Sequence, residues 1–209
     1  NFISAGASKV DILWVVDNSG SMCEEQQSLR ENFDRFVEKL AEIGADFNLA
    51  VVTTDMVDPE ESGCFQNIPD GEAGPSCDLT VDISECPSPE NGGEFPSLVL
   101  RSADYQNGDG ELDIARLKRD FGCNATTGTK GNGFEMGLEA AKVALSPALL
   151  SSFNAGFLRD DALLAIVFLS GCRFSKPHPA KRKEHALFPS LDGIWAWPAE
   201  HWVHGNWLY

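Results

Sequence analysis

Residues Lys9 to Ile43, KVDILWVVDNSGSMCEEQQSLRENFDRFVEKLAEI, constrain the fold of this chain more than any other stretch. Ile12 to Val16 is an unbroken apolar run. It is too short to span a membrane and does not alternate, so it predicts a strand buried on both faces. The run ends at Asp17, and Asn18-Ser19-Gly20-Ser21 follows as a tight polar turn. From Glu24 onward, Leu29, Phe33, Phe36, Val37, Leu40 and Ile43 recur at three- and four-residue spacings, the period of an amphipathic helix. The unit is strand, polar loop, helix. In open α/β sheets such a loop lies at the carboxyl edge of the strands, where ligands bind.

The loop carries specific chemistry. Asp17, Ser19 and Ser21 spell D-x-S-x-S, one carboxylate and two hydroxyls, all hard oxygen donors. Oxygen ligation suits Mg²⁺, Mn²⁺ or Ca²⁺ and is wrong for zinc or copper. A single carboxylate under-neutralises a divalent ion, so the site would want another acidic ligand, from solvent or a partner. A plainer reading needs no metal: Ser21 and Glu24 form S-x-x-E, a capping box, and Asp17 could accept backbone hydrogen bonds in the turn. The helix dipole also opposes a cation at this end of the helix, a field the carboxylate must overcome.

With its flanking strand and helix, the motif resembles the metal-ion-dependent adhesion site of von Willebrand factor A (VWA) domains, which carry D-x-S-x-S after their first strand. The likeness covers residues 9–170. It implies an α/β fold with a doubly wound, mainly parallel sheet flanked by helices, VWA- or Rossmann-like. It implies Mg²⁺, or else Mn²⁺ or Ca²⁺, and a protein ligand whose acidic residue completes the coordination of the ion. It also implies a threonine ligand from a second loop. In Gly122 to Gly133, GCNATTGTKGNG, Thr129 is the candidate, with Thr127 or Thr126 as alternatives; the plainer reading is that these threonines satisfy loop backbone. Asp55, at the end of the second strand, is a candidate additional carboxylate, set against the reading of a turn aspartate. After the third buried strand, Ala162 to Leu169, a VWA domain places an aspartate; here Ser170-Gly171-Cys172 follow, a departure from the family pattern.

Asp46 to Thr54 reads as the second strand, Leu112 to Phe121 as a short amphipathic helix, and Phe134 to Leu145 as another, with Phe134, Leu138, Ala141 and Leu145 on one face. Between Met56 and Gly110 the chain is rich in Gly, Pro and acidic residues with little periodicity, which argues for a functional or covalently stapled insertion. Asn107-Gly-Asp-Gly within it has the composition of a calcium loop, but an EF-hand alignment would put Tyr105 first and Arg116 twelfth, so a turn is expected. The expected organisation is a linker or cut end at 1–8, the VWA-like domain at 9–170 with its insertion near 56–110, and an atypical tail at 171–209. That tail holds all four histidines, four of the five tryptophans and the basic cluster Lys181-Arg182-Lys183. No pattern in it finishes a VWA sheet, so a C-terminally incomplete domain with a foreign end is favoured over family variation or an aromatic interaction segment. His201-x-x-His204 is read as a solvated pair rather than a metal site.

Charge and cysteines bound the function. The net charge is −16; residues 171–209 carry +2, which leaves −18 for residues 1–170. Such a surface repels nucleic acid and anionic lipid and favours divalent cations and basic partners. No apolar run reaches membrane-spanning length. The six cysteines form no C-x-x-C pair, and Cys64, Cys77 and Cys86 punctuate the Gly/Pro-rich insertion, where a disulfide could replace a missing core. An exported location follows, periplasm, cell surface or extracellular, with free cytosolic thiols as the alternative. Enzyme activity is disfavoured. A phosphoryl-transfer site of the haloacid dehalogenase type needs a second carboxylate where Ser19 stands, there is no G-x-x-x-x-G-K loop, and every histidine lies in the tail. The expected function is a divalent-metal-dependent protein-binding module of the adhesion type. The alternatives are a structural surface or lipoprotein domain whose metal only stabilises the fold, and a metal-dependent phosphoryl-transfer enzyme.

Overall fold

A computed structural model of the chain describes residues 9–59, 61–71, 82–134, 136–170 and 194–198. Its elements run β1 (Lys9–Val16), α1 (Cys23–Glu42), β2 (Asp46–Thr53), β3 (Leu100–Arg101), α2 (Ile114–Asn124), α3 (Gly137–Ala144), α4 (Pro147–Leu150), β4 (Leu163–Leu169) and β5 (Ile194–Pro198). They form a mixed α/β fold around one sheet of order β3-β2-β1-β4-β5. β1 is its middle strand, paired parallel to β2 from Lys9↔Asp46 to Val16↔Thr53 and parallel to β4 from Val10↔Leu163 to Val16↔Leu169. β3 and β5 pair antiparallel at the two edges.

The unbroken apolar run of β1 is explained by helices on both faces. Ile12, Trp14 and Val16 pack against Leu29, Phe33 and Val37 of α1 and Leu117 and Phe121 of α2. Leu13 and Val15 face the other way, toward Ala141 and Ala144 of α3 together with Phe65 and Phe157. Each large apolar side chain buried in this way contributes roughly 1.5–3 kcal/mol. Phe33 stacks on Phe121 with ring centroids 3.5 Å apart, and Trp14 meets Phe121 edge-on at 5.4 Å, so α1 and α2 are locked to the sheet by aromatic contact.

At the amino edge of the sheet Arg159 acts as a clamp. Its backbone N–H and Nε donate to the two carboxylate oxygens of buried Asp11 at 2.7 and 2.8 Å, and its Nη1 donates to Asp46 at 2.8 Å. Burial pushes the Asp11 carboxyl above its ordinary range even with the guanidinium beside it.

Several local expectations change. α1 begins at Cys23 with Met22 as its N-cap and no side-chain cap bond, so the Ser21-x-x-Glu24 capping box does not form. α3 begins at Gly137 rather than Phe134, and it buries Ala140, Ala141 and Ala144 while Phe134 and Leu138 point to solvent. The helix lies close on the sheet: a Cβ on Gly137 would come within 3.3 Å of the Phe168 ring, a distance at which small residues pack best. α2 starts two residues later than the apolar pattern suggests, because the Asp113 side chain caps it by accepting from the Arg116 N–H at 3.0 Å. The insertion is stapled: Cys86 is disulfide-bonded to Cys123 in the last turn of α2, and the Asn124 amide donates to Ser97 O at 2.9 Å. Asn107 Oδ1 accepts from the N–H groups of Asp109 and Glu111, which makes Asn107-Gly-Asp-Gly a turn. β5 arises in the stretch that had shown no sheet pattern. Cys77, Cys172, Lys181-Arg182-Lys183, His201 and His204 lie outside the described residues. No helix among the described residues is long and apolar enough to cross a membrane.

Candidate metal centre

The D-x-S-x-S loop sits at the carboxyl edge of the middle strand. Asp17 N–H donates to Leu169 O at 2.9 Å and Thr54 N–H donates to Val16 O at 3.2 Å, so the ends of β1, β2 and β4 are tied together directly beneath the loop. Asp17 is buried. One of its carboxylate oxygens accepts the Ser19 N–H at 2.8 Å, and the other accepts the Ser170 hydroxyl at 3.1 Å. A carboxylate has about four acceptor positions, so these two bonds orient Asp17 without exhausting it. Ser170 stands just after β4, where the family pattern leads into an aspartate; Gly171 lies outside the described residues.

The second loop is brought to the first by a residue the sequence did not mark. The Gln26 amide, buried on α1, donates to Asp17 O at 3.0 Å and Gly128 O at 2.9 Å, and approaches Thr127 Oγ1 at 3.3 Å. Gly131 N–H donates to Asn18 O at 2.9 Å, and a Cβ on Gly131 would come within 2.3 Å of the Asn18 side chain, so a larger residue here would have to displace that side chain. Thr129, also buried, lies between these two tethers. Thr126 is engaged in closing α2: its hydroxyl donates to Gly122 O at 2.7 Å and accepts from Arg30 at 3.2 Å. Of the three threonine candidates, Thr126 thus fits the backbone-satisfying reading. Ser21 is exposed at the end of the turn.

Two carboxylates flank the loop. Asp55 lies on the same edge as Asp17, as the parallel pairing requires, and accepts three backbone bonds: Val57 and Asp58 N–H donate to one oxygen at 2.8 and 3.2 Å, and Asn132 N–H donates to the other at 2.8 Å. Burial pushes its carboxyl up, but these three donors outweigh it and hold the group below its ordinary value. Asp55 thus makes the backbone bonds of a turn aspartate and also anchors the second loop. Glu61 accepts from the Asn18 amide and the Thr53 hydroxyl, both at 2.9 Å. Its carboxyl is pushed up by burial and by the charges of Asp55 and Asp58, against those two hydrogen bonds. No local signal in the sequence identified Gln26, Glu61 or Ser170, since each has a partner far along the chain, 102, 43 and 153 residues away respectively.

One feature of the loop bears directly on a ligand. Ser19 is 4% exposed, and its hydroxyl has no hydrogen-bond partner among the described residues; the same holds for Asn18 Oδ1 and Thr54 Oγ1 beside it. Buried polar atoms are nearly always paired, and leaving one unpaired costs about 1–3 kcal/mol. An oxygen-seeking cation at this edge would satisfy such atoms, and the set offered by Asp17, Ser19, Ser21 and Thr129 is chemically suited to Mg²⁺, Mn²⁺ or Ca²⁺. No group of three or more His, Cys, Asp or Glu able to hold a metal occurs among the described residues, so a site here draws on hydroxyls. The chain matches no protein-family model, no curated protein and no solved structure. The likeness to VWA domains therefore rests on the residues themselves.

Proposed function

We propose that this chain is a VWA-like binding domain that holds a divalent cation, Mg²⁺ or a similar hard ion, through Asp17, Ser19, Ser21 and Thr129, and takes a protein ligand whose acidic residue completes the coordination. The observation that carries this reading is the buried Ser19 hydroxyl, unpartnered beside an oriented and buried Asp17. The position supports it as well, because the loop lies at the carboxyl end of a central parallel strand, where open α/β sheets bind ligands. The bound ion supplies the positive charge that attracts a carboxylate to an otherwise acidic surface. Asp17 holds and partly neutralises the ion, the hydroxyls complete the protein's share, and Gln26 keeps the two ligand loops at a fixed separation. The Cys86–Cys123 disulfide supports an exported location, since such bonds persist in oxidising compartments.

Thermal melts with Mg²⁺, Mn²⁺, Ca²⁺ and chelator test the reading. A cation that binds only the folded chain raises Tm with its concentration. The expected result is a metal-dependent rise that Asp17→Ala abolishes and Ser21→Ala reduces. Equal melting in metal and chelator for the wild-type chain would sink the proposal. A rise lost in Asp17→Ala while an acidic ligand still binds would reduce the metal to a purely structural part.

A further inference from the structure

We propose that the apolar side chains gathered around Asp55 form a rim that receives a bulky apolar residue of the partner, lying next to the partner's acidic residue on a surface that is otherwise basic. This rests on the metal-dependent reading above and specifies the ligand that reading leaves open. Nine large apolar side chains are exposed among the described residues, and four of them, Val57, Phe134, Met136 and Leu138, belong to the two segments that meet at this edge. The N–H groups of Val57 and Asn132 both donate to the Asp55 carboxylate at 2.8 Å. Phe134 N–H donates to the Asn132 side chain at 3.0 Å, and Met136 N–H donates to Thr54 O at 3.3 Å. Val57, Phe134 and Met136 are thus tied to the end of β2, and Leu138 follows Gly137, whose Cβ position lies 3.5 Å from the Thr54 side chain; the neighbouring strand β1 leads into Asp17. Their exposures are 62% for Val57, 78% for Phe134, 43% for Met136 and 62% for Leu138. A single exposed apolar residue needs no explanation, whereas several converging beside an unsatisfied polar cluster mark an interaction surface.

Charge and size select the occupant. A second copy of the chain would bring −16 against −16, and four side chains fall well short of the roughly 800 Å² per partner of a standard interface. An anionic membrane meets the same repulsion. A carboxylate approaching this edge is attracted at the ion, and apolar contact on the rim and positive charge around the carboxylate supply the remaining affinity. That combination describes a short protein segment with a large apolar residue beside its Asp or Glu and Lys or Arg on either side.

The test titrates the full chain, in Mg²⁺, with a lysine-flanked Phe-Glu peptide and its Ala-Glu counterpart, following the methyl and aromatic NMR signals of the rim. The Phe-Glu peptide is expected to bind about tenfold more tightly, the effect of one well-seated aromatic anchor. Phe134→Ala is expected to abolish that preference while leaving the Ala-Glu affinity and the Mg²⁺ shift in Tm unchanged, and Leu138→Ala to reduce it. Phe134 is exposed, so the fold survives its removal, and the same melts verify this. Equal affinities for the two peptides, no binding of either, or a preference that persists in both variants overturns the rim. In those cases a Mg²⁺ shift lost in Asp17→Ala keeps the metal reading alive, and absence of the shift removes both. A dimer in sedimentation that Phe134→Ala disperses, or flotation with phosphatidylserine vesicles that it prevents, reassigns the rim and overturns the proposal equally.

Discussion

Gln26→Leu separates a site built by the fold from a loop that merely follows a strand. The side chain is buried, and its amide donates to two backbone carbonyls, Asp17 O and Gly128 O, at 3.0 and 2.9 Å. Leucine has nearly the same size but no donor, so both carbonyls lose that partner in a buried setting. At about 1–3 kcal/mol for each unsatisfied group, offset in part by the greater apolarity of leucine, the cost is about 3 kcal/mol. For a chain of this size that lowers Tm by about 6–12 °C. The substitution also releases the loop of Thr127 and Thr129 from Asp17, so the stabilisation by Mg²⁺ shrinks along with the basal stability. Calorimetric melts in chelator and in Mg²⁺ measure both effects in one pair of scans. A loss below about 1 kcal/mol with an undiminished Mg²⁺ shift would refute the idea that this amide holds the two loops in place.

Three further predictions follow from the same geometry. Ser19→Ala removes a buried hydroxyl that has no partner, so in chelator the variant melts at or above the wild-type temperature, by up to about 1 kcal/mol, while its Mg²⁺ shift is lost; a variant less stable in chelator contradicts this. Glu61 has its folded value raised above the ordinary 4.5, so its contribution to stability is present below that pH and is lost as pH rises through the folded value. Glu61→Gln is therefore expected to be more stable than wild type at neutral pH in chelator, with the advantage vanishing below pH 4.5, as chemical denaturation at several pH values will show. Removing the Cys86–Cys123 bridge by a double Ser substitution opens a loop with sequence separation 37, and loop entropy sets the loss at about 4 kcal/mol. Equal unfolding midpoints in denaturant with and without the bridge would contradict that figure.

The sequence made the middle of the fold legible because burial there is total and local patterns report it. Ile12 to Val16 could only be a strand covered on both sides, and the spacing of Leu29, Phe33 and Val37 matches the face that α1 turns to it. The apolar spacing of Phe134 and Leu138 misled for a physical reason. The close seat of α3 on the sheet selects alanines, so its larger side chains were left outside. β3 and β5 gave little warning, since one is two residues long and the other draws its register from β4 rather than from its own pattern. At the candidate site, Asp17 and Ser19 were legible as a short motif. Gln26 and Glu61 were not, because their bonds to Gly128 and to Asn18 span 102 and 43 residues respectively, and a polar residue on a helix or in a loop looks the same whether or not it finds such a partner. Ser21-x-x-Glu24 shows the reverse: a good local signal for a cap that the tertiary structure does not use.

The placement of β1 has a consequence for how the molecule comes into being. β1, the middle strand, precedes β2, β3 and β4 in the chain, and one side of it is closed only by β4, at residues 163–169. Until then a growing chain carries an apolar strand with an open hydrogen-bonding edge, the kind of edge that invites pairing with the wrong neighbour. Asp17 itself is docked on Leu169, so the carboxylate at the heart of the candidate site acquires its setting only after β4 is made. During synthesis the proposed cation site would therefore take shape only once β4 has joined β1, a sign that the early part of the chain has found the later part.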